Sequence, residues 1–205
     1  MAAAGPPYVP QVMLEYLAFR PSGCHIAHQG EMRVVDEACP PVGVMAVPAW
    51  PDCPMENLVH SKSVQIVSTE RVPGPQGYPL IQIAVRPSVK LPAGSVWSYF
   101  LEWDQRRVPF LHDERGGSER LLSLTVGAFK DGPRTRYCVA VPDNVKDLRC
   151  FDYEPFRRRS AKGWTLLDYD TTNQARATIH VGFTFTKEPA EKPPTSSAAF
   201  TFLMR

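Results

Sequence analysis

Near the carboxy-terminal end, the run Arg176-Ala-Thr-Ile-His-Val-Gly-Phe-Thr-Phe-Thr186 alternates apolar and polar side chains with a period of two. Ala177, Ile179, Val181, Phe183 and Phe185 fall on one side, and Thr178, His180, Gly182, Thr184 and Thr186 on the other. Successive side chains of a strand point to opposite faces, so the run is a half-buried antiparallel strand, apolar inside and polar outside. The same period recurs along the chain. Ser95 to Asp104 puts Trp97, Tyr99, Leu101 and Trp103 on one side, and Leu80 to Arg86 does the same with Ile81, Ile83 and Val85. Leu121 to Phe129 and Arg136 to Val141 flank Lys130-Asp131-Gly132-Pro133, and Asp-Gly between apolar alternations signals a hairpin. Val12 to Phe19, Val59 to Thr69 and Trp164 to Tyr169 also read as strands, the last turning at Thr172-Asn173. Cys24 to Val35 adds one more, and Phe200 to Met204 a final one.

Proline sharpens this reading. The chain has 21 prolines in 205 residues, about twice the usual share of ~5%, and each interior proline removes a donor from a helix. They gather in connections at Cys39 to Pro54, Val72 to Pro79 and Arg86 to Pro92. No segment sustains a 3.6-residue period; Pro142 to Leu148 offers one helical turn capped by Asp143. The expected fold is therefore all-β: an antiparallel β-sandwich or jelly-roll-like domain of eight to ten strands, with long proline-rich loops and little helix. Residues 1–188 form the single domain, 189–197 a flexible linker, and 198–205 a carboxy-terminal strand. A chain of this length buries roughly 70% of its unfolded surface. With 43% hydrophobic and 10% aromatic residues it is not wholly disordered. No window reaches the ~20 apolar residues of a spanning helix.

Charge is nearly balanced, 23 basic against 21 acidic residues, so no global field draws the chain to nucleic acid or an acidic surface. One cluster stands out, Arg157-Arg158-Arg159 with Lys162 behind it. It reads as an exposed loop, or as a phosphate contact with Tyr153 and Phe156 beside it to stack on bases. The segment Met1 to Pro7 carries no charged side chain, so a basic arm that clamps a genome is missing there. That start also lacks the charged and apolar regions of a secretory signal, so synthesis in the cytoplasm with thiols mostly reduced is expected. Five cysteines, Cys24, Cys39, Cys53, Cys138 and Cys150, cannot all pair within the chain. Cys138 reads as a core residue, and a Cys39–Cys53 disulfide would close the first proline-rich loop.

Chemistry-bearing patterns are sparse. There is no phosphate-binding glycine loop, no Gly-x-Ser-x-Gly elbow and no Cys-x-x-Cys pair. Cys24, His25 and His28, with Cys39 and Cys53 downstream, offer soft ligands for zinc, but the spacing fits no zinc module, so neither metal nor cofactor is expected. His112-Asp113-Glu114 reads as part of a solvated charged loop, and His180 as exposed or lining a second sheet. No enzyme is expected. The Trp97–Trp103 stripe reads as core, with sugar binding as its functional alternative. Trp50, held between Pro48 and Pro51, is the expected partner-facing anchor, and Phe200 and Phe202 are further partner contacts from the tail.

In strand count, length and loop style the whole chain resembles viral jelly-roll capsid proteins and the β-sandwich protrusions of capsids. The resemblance implies a structural virion protein, made in the host cytoplasm, that self-associates with other coat subunits through loops and sheet edges. Its outer loops would meet a host receptor, and Arg157, Arg158 and Arg159 would supply any nucleic-acid contact. The alternative is a β-sandwich binding module that recognises carbohydrate, peptide or lipid. The tail from Glu188 onward would add a strand to its own sheet or to a neighbour's.

Overall fold

The computed structural model describes residues 6–48, 54–73, 79–106, 111–113, 119–126, 132–172, 174 and 177–204. Within them the strands, in chain order, are β1 (Tyr8–Arg20), β2 (Gly23–Val34), β3 (Val42–Pro48), β4 (Met55–His60), β5 (Val64–Pro73), β6 (Pro79–Pro87) and β7 (Val96–Gln105). They continue as β8 (Leu111–Asp113), β9 (Glu119–Val126), β10 (Arg134–Pro142), β11 (Lys146–Phe151), β12 (Arg157–Ser160), β13 (Trp164–Asp170) and β14 (Ala177–Thr184), and a helix, α1 (Ser196–Met204), follows. The protein is all-β, with more strands than the eight to ten expected, and β1 and β2 run to 13 and 12 residues.

The strands form three sheets: β12-β13-β10-β1-β2-β7-β4, β11-β14-β9-β8, and β3-β6-β5. In the seven-stranded sheet β1 and β10 run parallel, so its connectivity is not wholly antiparallel. Both smaller sheets pack on one face of this large sheet. There Leu17, Phe19, Ile26, Val139, Val141 and Leu167 meet Ile83 and Val85 of β6 and Ile179, Val181 and Phe183 of β14. Strand β7 shows the cause. Its alternation sends Trp97, Tyr99, Leu101 and Trp103 inward, each at most 2% exposed, and apolar area of this size is the main stabilising term. The stripe is core, and the Trp97 indole N–H donates to the Ser63 carbonyl at 3.1 Å.

The opposite face of the large sheet has its own, smaller core. Leu14, Tyr16, Ala18, Ala27, Cys138, Ala140, Trp164 and Leu166 pack beneath Ala199, Phe200 and Leu203 of α1. The expected strand at 198–205 is thus a helix laid on the sheet. Its buried residues Ser196, Ala199, Phe200 and Leu203 recur at helical spacing, and a helix satisfies its own backbone where no sheet edge is needed.

Three further expectations change. Strand β9 pairs with β14 and β8, while β10 pairs with β1 and β13, so the two flank no hairpin; the turn residues Lys130 and Asp131 lie outside the described residues. The run Val59 to Thr69 splits into β4 and β5, which belong to different sheets, at a turn where the Val64 N–H donates to the Ser61 carbonyl at 3.1 Å. Arg157–Ser160 is the edge strand β12, hydrogen-bonded to β13, rather than a loop.

Candidate functional site

The second face of β7 carries Phe100, Glu102 and Asp104 between the buried aromatics, and antiparallel pairing places His25 of β2 directly opposite Asp104. Directly opposed residues share a face. His25 Nδ1 lies 2.9 Å from Asp104 Oδ1, and Nε2 lies 3.5 Å from Glu102 Oε2. The Asn57 amide donates to Asp104 Oδ2 at 2.9 Å, and the Ser196 hydroxyl donates to Glu102 Oε2 at 2.9 Å. Burial alone would raise the Asp104 carboxyl, but hydrogen bonds from Asn57 and His25, with the charges of His25 and Arg20, hold it below its ordinary value.

Residues 192–197, which lead into α1, form the facing wall. The Tyr16 hydroxyl donates to the Pro194 carbonyl at 2.7 Å and the Trp164 indole N–H to the Glu191 carbonyl at 3.2 Å, pinning this strap to the sheet. Burial pushes the Tyr16 hydroxyl well above its ordinary pKa, so it stays a donor. Between strap and sheet lies a groove of about 660 Å³, lined by Arg20, His25, Phe100, Glu102, Asp104 and Lys192 among others. Arg20 Nε is buried with no hydrogen-bond partner among the described residues, and the guanidinium carbon stands 5.9 Å from the centre of the Trp164 ring. The groove thus sets carboxylate acceptors beside cationic donors, a pairing suited to a ligand that carries both polarities.

The arginine cluster has a different job. Asp168 is fully buried and takes Arg157 Nε at 2.8 Å, with Arg159 Nε at 2.8 Å and Nη2 at 2.9 Å. Arg157 Nη2 also donates to the Phe202 carbonyl at 2.7 Å, Arg136 Nη1 to that of Leu203 at 2.5 Å, and Arg134 Nη1 to that of Met204 at 3.2 Å. A helix leaves its last four carbonyls without intrahelical donors, and cations there also favour the dipole. These arginines therefore fasten the carboxy-terminal end of α1. Arg158 points elsewhere, half exposed, and pairs with Glu154 at 3.3 Å. Of the three residues expected at nucleic acid, Arg157 and Arg159 are engaged inside the molecule.

The other expected site residues are scattered. Phe200 is buried, edge-on to Phe100 with ring centroids 6.2 Å apart, so it contacts this chain's own sheet rather than a partner. Phe202 is 38% exposed and lies 4.4 Å from the Arg159 guanidinium. Trp50 and Cys53 lie outside the described residues, as does Glu114. On β2 the alternation separates the zinc candidates: Cys24 and His28 face the larger core, and His25 faces the groove. Among the described residues no group of three or more His, Cys, Asp or Glu is placed to hold a metal. Cys24, Cys39, Cys138 and Cys150 are free thiols, and burial pushes those of Cys24 and Cys138 well up. His180 stands on the outward face of its sheet, bonded to Ser123 and Asp152. Glu102 and Asp104 are legible in the sequence as the polar half of the β7 alternation, which does not tell that His25 stands beside them.

No known protein family and no curated protein matches the chain. Among solved structures it is similar to the M1 zinc metallopeptidase of Deinococcus radiodurans. One form, a point mutant bound to a Tyr-Ser-Ala substrate, gives 12% identity and a TM-score of 0.48 over 87% of this chain and 42% of that one. The unmutated form gives 12% identity and 0.48 over 96% and 52%. The chain thus spans about half the length of the structures it matches.

Proposed function

We propose that the chain is a binding module that holds a short, extended, peptide-like ligand in the groove between β2–β7–β4 and the 192–197 strap. One observation carries this reading: Glu102 and Asp104 stand beside Arg20 and Lys192 in a single groove of about 660 Å³, within the ~300–1,000 Å³ of ordinary ligand sites. A peptide presents donors and acceptors alternately along its backbone and suits such a lining. A sugar would need an aromatic platform, and Trp97 and Trp103 are buried on the other face. A lipid would need an apolar lining, and among the described residues Phe100 is the one Phe, Tyr or Trp that lines this groove. Binding of a pool of labelled hexapeptides, read by fluorescence polarisation, tests it. The expected result is micromolar binding that weakens at least tenfold in the Glu102→Gln/Asp104→Asn variant; no binding, or binding indifferent to that change, overturns the reading.

A second reading, a structural virion subunit that self-associates, is favoured by one feature. Strand β5 runs ten residues along the end of the three-stranded sheet, bonded to β6 on one side, with Val67 44% exposed. A long exposed edge invites another strand. Light scattering after size exclusion at two salt concentrations tests this: a trimer, pentamer or larger closed assembly supports it, and a 22.9 kDa monomer rejects it.

A further inference from the structure

On the outward face of the four-stranded sheet, three polar side chains form one hydrogen-bonded line. Ser123 of β9 and His180 of β14 are directly opposed in the antiparallel register, and Ser123 Oγ lies 2.9 Å from His180 Nε2. Asp152, the residue after β11, places Oδ2 2.6 Å from His180 Nδ1. An ionised carboxylate only accepts, so Nδ1 carries the ring proton toward Asp152. In the neutral ring Nε2 then presents its lone pair to Ser123, and the hydroxyl donates to it. This is the order of nucleophile, base and orienting acid that activates a serine.

Two further features accompany this line. Asp152 has φ of 61° and sits at the centre of a three-residue turn, with the Tyr153 N–H donating to the Phe151 carbonyl at 2.6 Å. A γ-turn at positive φ is rare and strained, and such strain gathers where a side chain must be aimed. Next to His180, Phe151 lies 39% exposed, its ring so close over Gly182 that an added Cβ would come within 3.2 Å of it. A part-exposed apolar ring thus lies beside the imidazole, with the Arg149 guanidinium carbon 5.9 Å from its centre.

We propose that Ser123 is a base-activated nucleophile that accepts the acyl group of small aryl esters, with His180 as its general base and Asp152 as a positioning residue. The Ser123 oxygen attacks the ester carbonyl carbon while its proton passes to His180 Nε2. The bond from that carbon to the aryl oxygen breaks, and the aryloxide takes the proton, leaving acyl-Ser123 and a phenol. Water, giving its proton to His180, then attacks the acyl carbon. The carbon–Oγ bond breaks, the imidazole returns the proton to Ser123, and the carboxylic acid leaves. The three side chains supply no donor to the carbonyl oxygen as it gains charge, so the ester must carry a leaving group good enough to depart without that help, which selects aryl over alkyl esters. The Phe151 ring receives the aryl group.

The test is incubation of the folded chain with p-nitrophenyl acetate, following nitrophenolate release and locating the acetyl group by peptide mass spectrometry. The expected result is acetylation at Ser123, faster than in the same chain unfolded in urea, absent in Ser123→Ala and slowed about 10²-fold in His180→Gln. Asp152→Asn slows it and Asp152→Glu restores it, which a merely structural role for Asp152 would not do. Acetylation spread over lysines and tyrosines, a rate no faster than in the unfolded chain, or a His180→Gln rate equal to the parent's overturns the proposal.

Discussion

Over β10, β1 and β13, with Ala27 of β2 and Phe100 of β7 at the margin, the second face of the large sheet is apolar and covered by α1; over the rest of β2, β7 and β4 it is charged and open to the groove. Both halves arise from the same alternation, since the strands send large apolar side chains to the main core and leave the other face to be specified separately. In the covered half that face carries Leu14, Tyr16, Cys138 and Leu166, and the helix closes it. In the open half it carries His25, Glu102 and Asp104, which cannot be buried without partners. Acids serve both halves differently. Asp168 is fully buried and held by two arginines, a geometry of structure; Asp104 is 46% exposed in its side chain, a geometry that leaves an acceptor for a ligand. The comparison predicts that damage to the covered half costs stability, and damage to the open half costs binding.

The largest effect is expected from Asp168→Ala. It strands Arg157 and Arg159 and weakens the clasp on α1, and removing one side of a buried pair costs about 3–5 kcal/mol. A urea unfolding midpoint checks this, and a loss under about 1 kcal/mol would break the comparison. Leu203→Ala opens a cavity between helix and sheet and should cost about 2–5 kcal/mol, read in the same experiment. Next comes acid. The Asp170 carboxyl is pushed up by burial, yet hydrogen bonds from Thr172 and Arg136 and the charge of Arg136 hold it below its ordinary value. A depressed carboxylate contributes stability above its unfolded pKa, about 3.9, and loses it as pH falls through the folded value. Asp170→Asn should therefore flatten the loss of stability below about pH 4, and Asp104→Asn should do so less, because Asp104 is the more exposed. The smallest change in stability is expected from Glu102→Gln, about 1 kcal/mol or less, together with lost peptide binding.

Much of this architecture is legible in the sequence, and the failures have physical causes. The strand at Ala177–Thr184 and the core role of Trp97, Tyr99, Leu101 and Trp103 follow from a period of two with unmistakable contrast. Pairing does not follow, because alternation specifies faces and not neighbours. Asp131-Gly132 between two strands therefore predicted a hairpin where the chain passes between sheets. Helix α1 departs from the expected strand because Phe-Thr-Phe over 200–202 mimics strand alternation. Ser196, Ala199, Phe200 and Leu203 carried the helical signal, but nine residues are too few for it to dominate. The triplet Arg157-Arg158-Arg159 reads as a surface patch because its counter-charge, Asp168, lies on the next strand, and only the β12–β13 pairing sets the two opposite each other. The groove shares this difficulty: His25 and Asp104 are 79 residues apart, and only the β2–β7 register brings them together.

The open half of the face is expected to bind while the covered half holds the fold. Amide chemical-shift mapping of the isotope-labelled chain during titration with a pool of hexapeptides tests it most directly. Saturable shifts are expected at His25, Phe100, Glu102 and Ser196, with Leu14, Cys138 and Leu166 unmoved. Shifts confined to the covered half, or none at peptide concentrations up to the millimolar range, would contradict it.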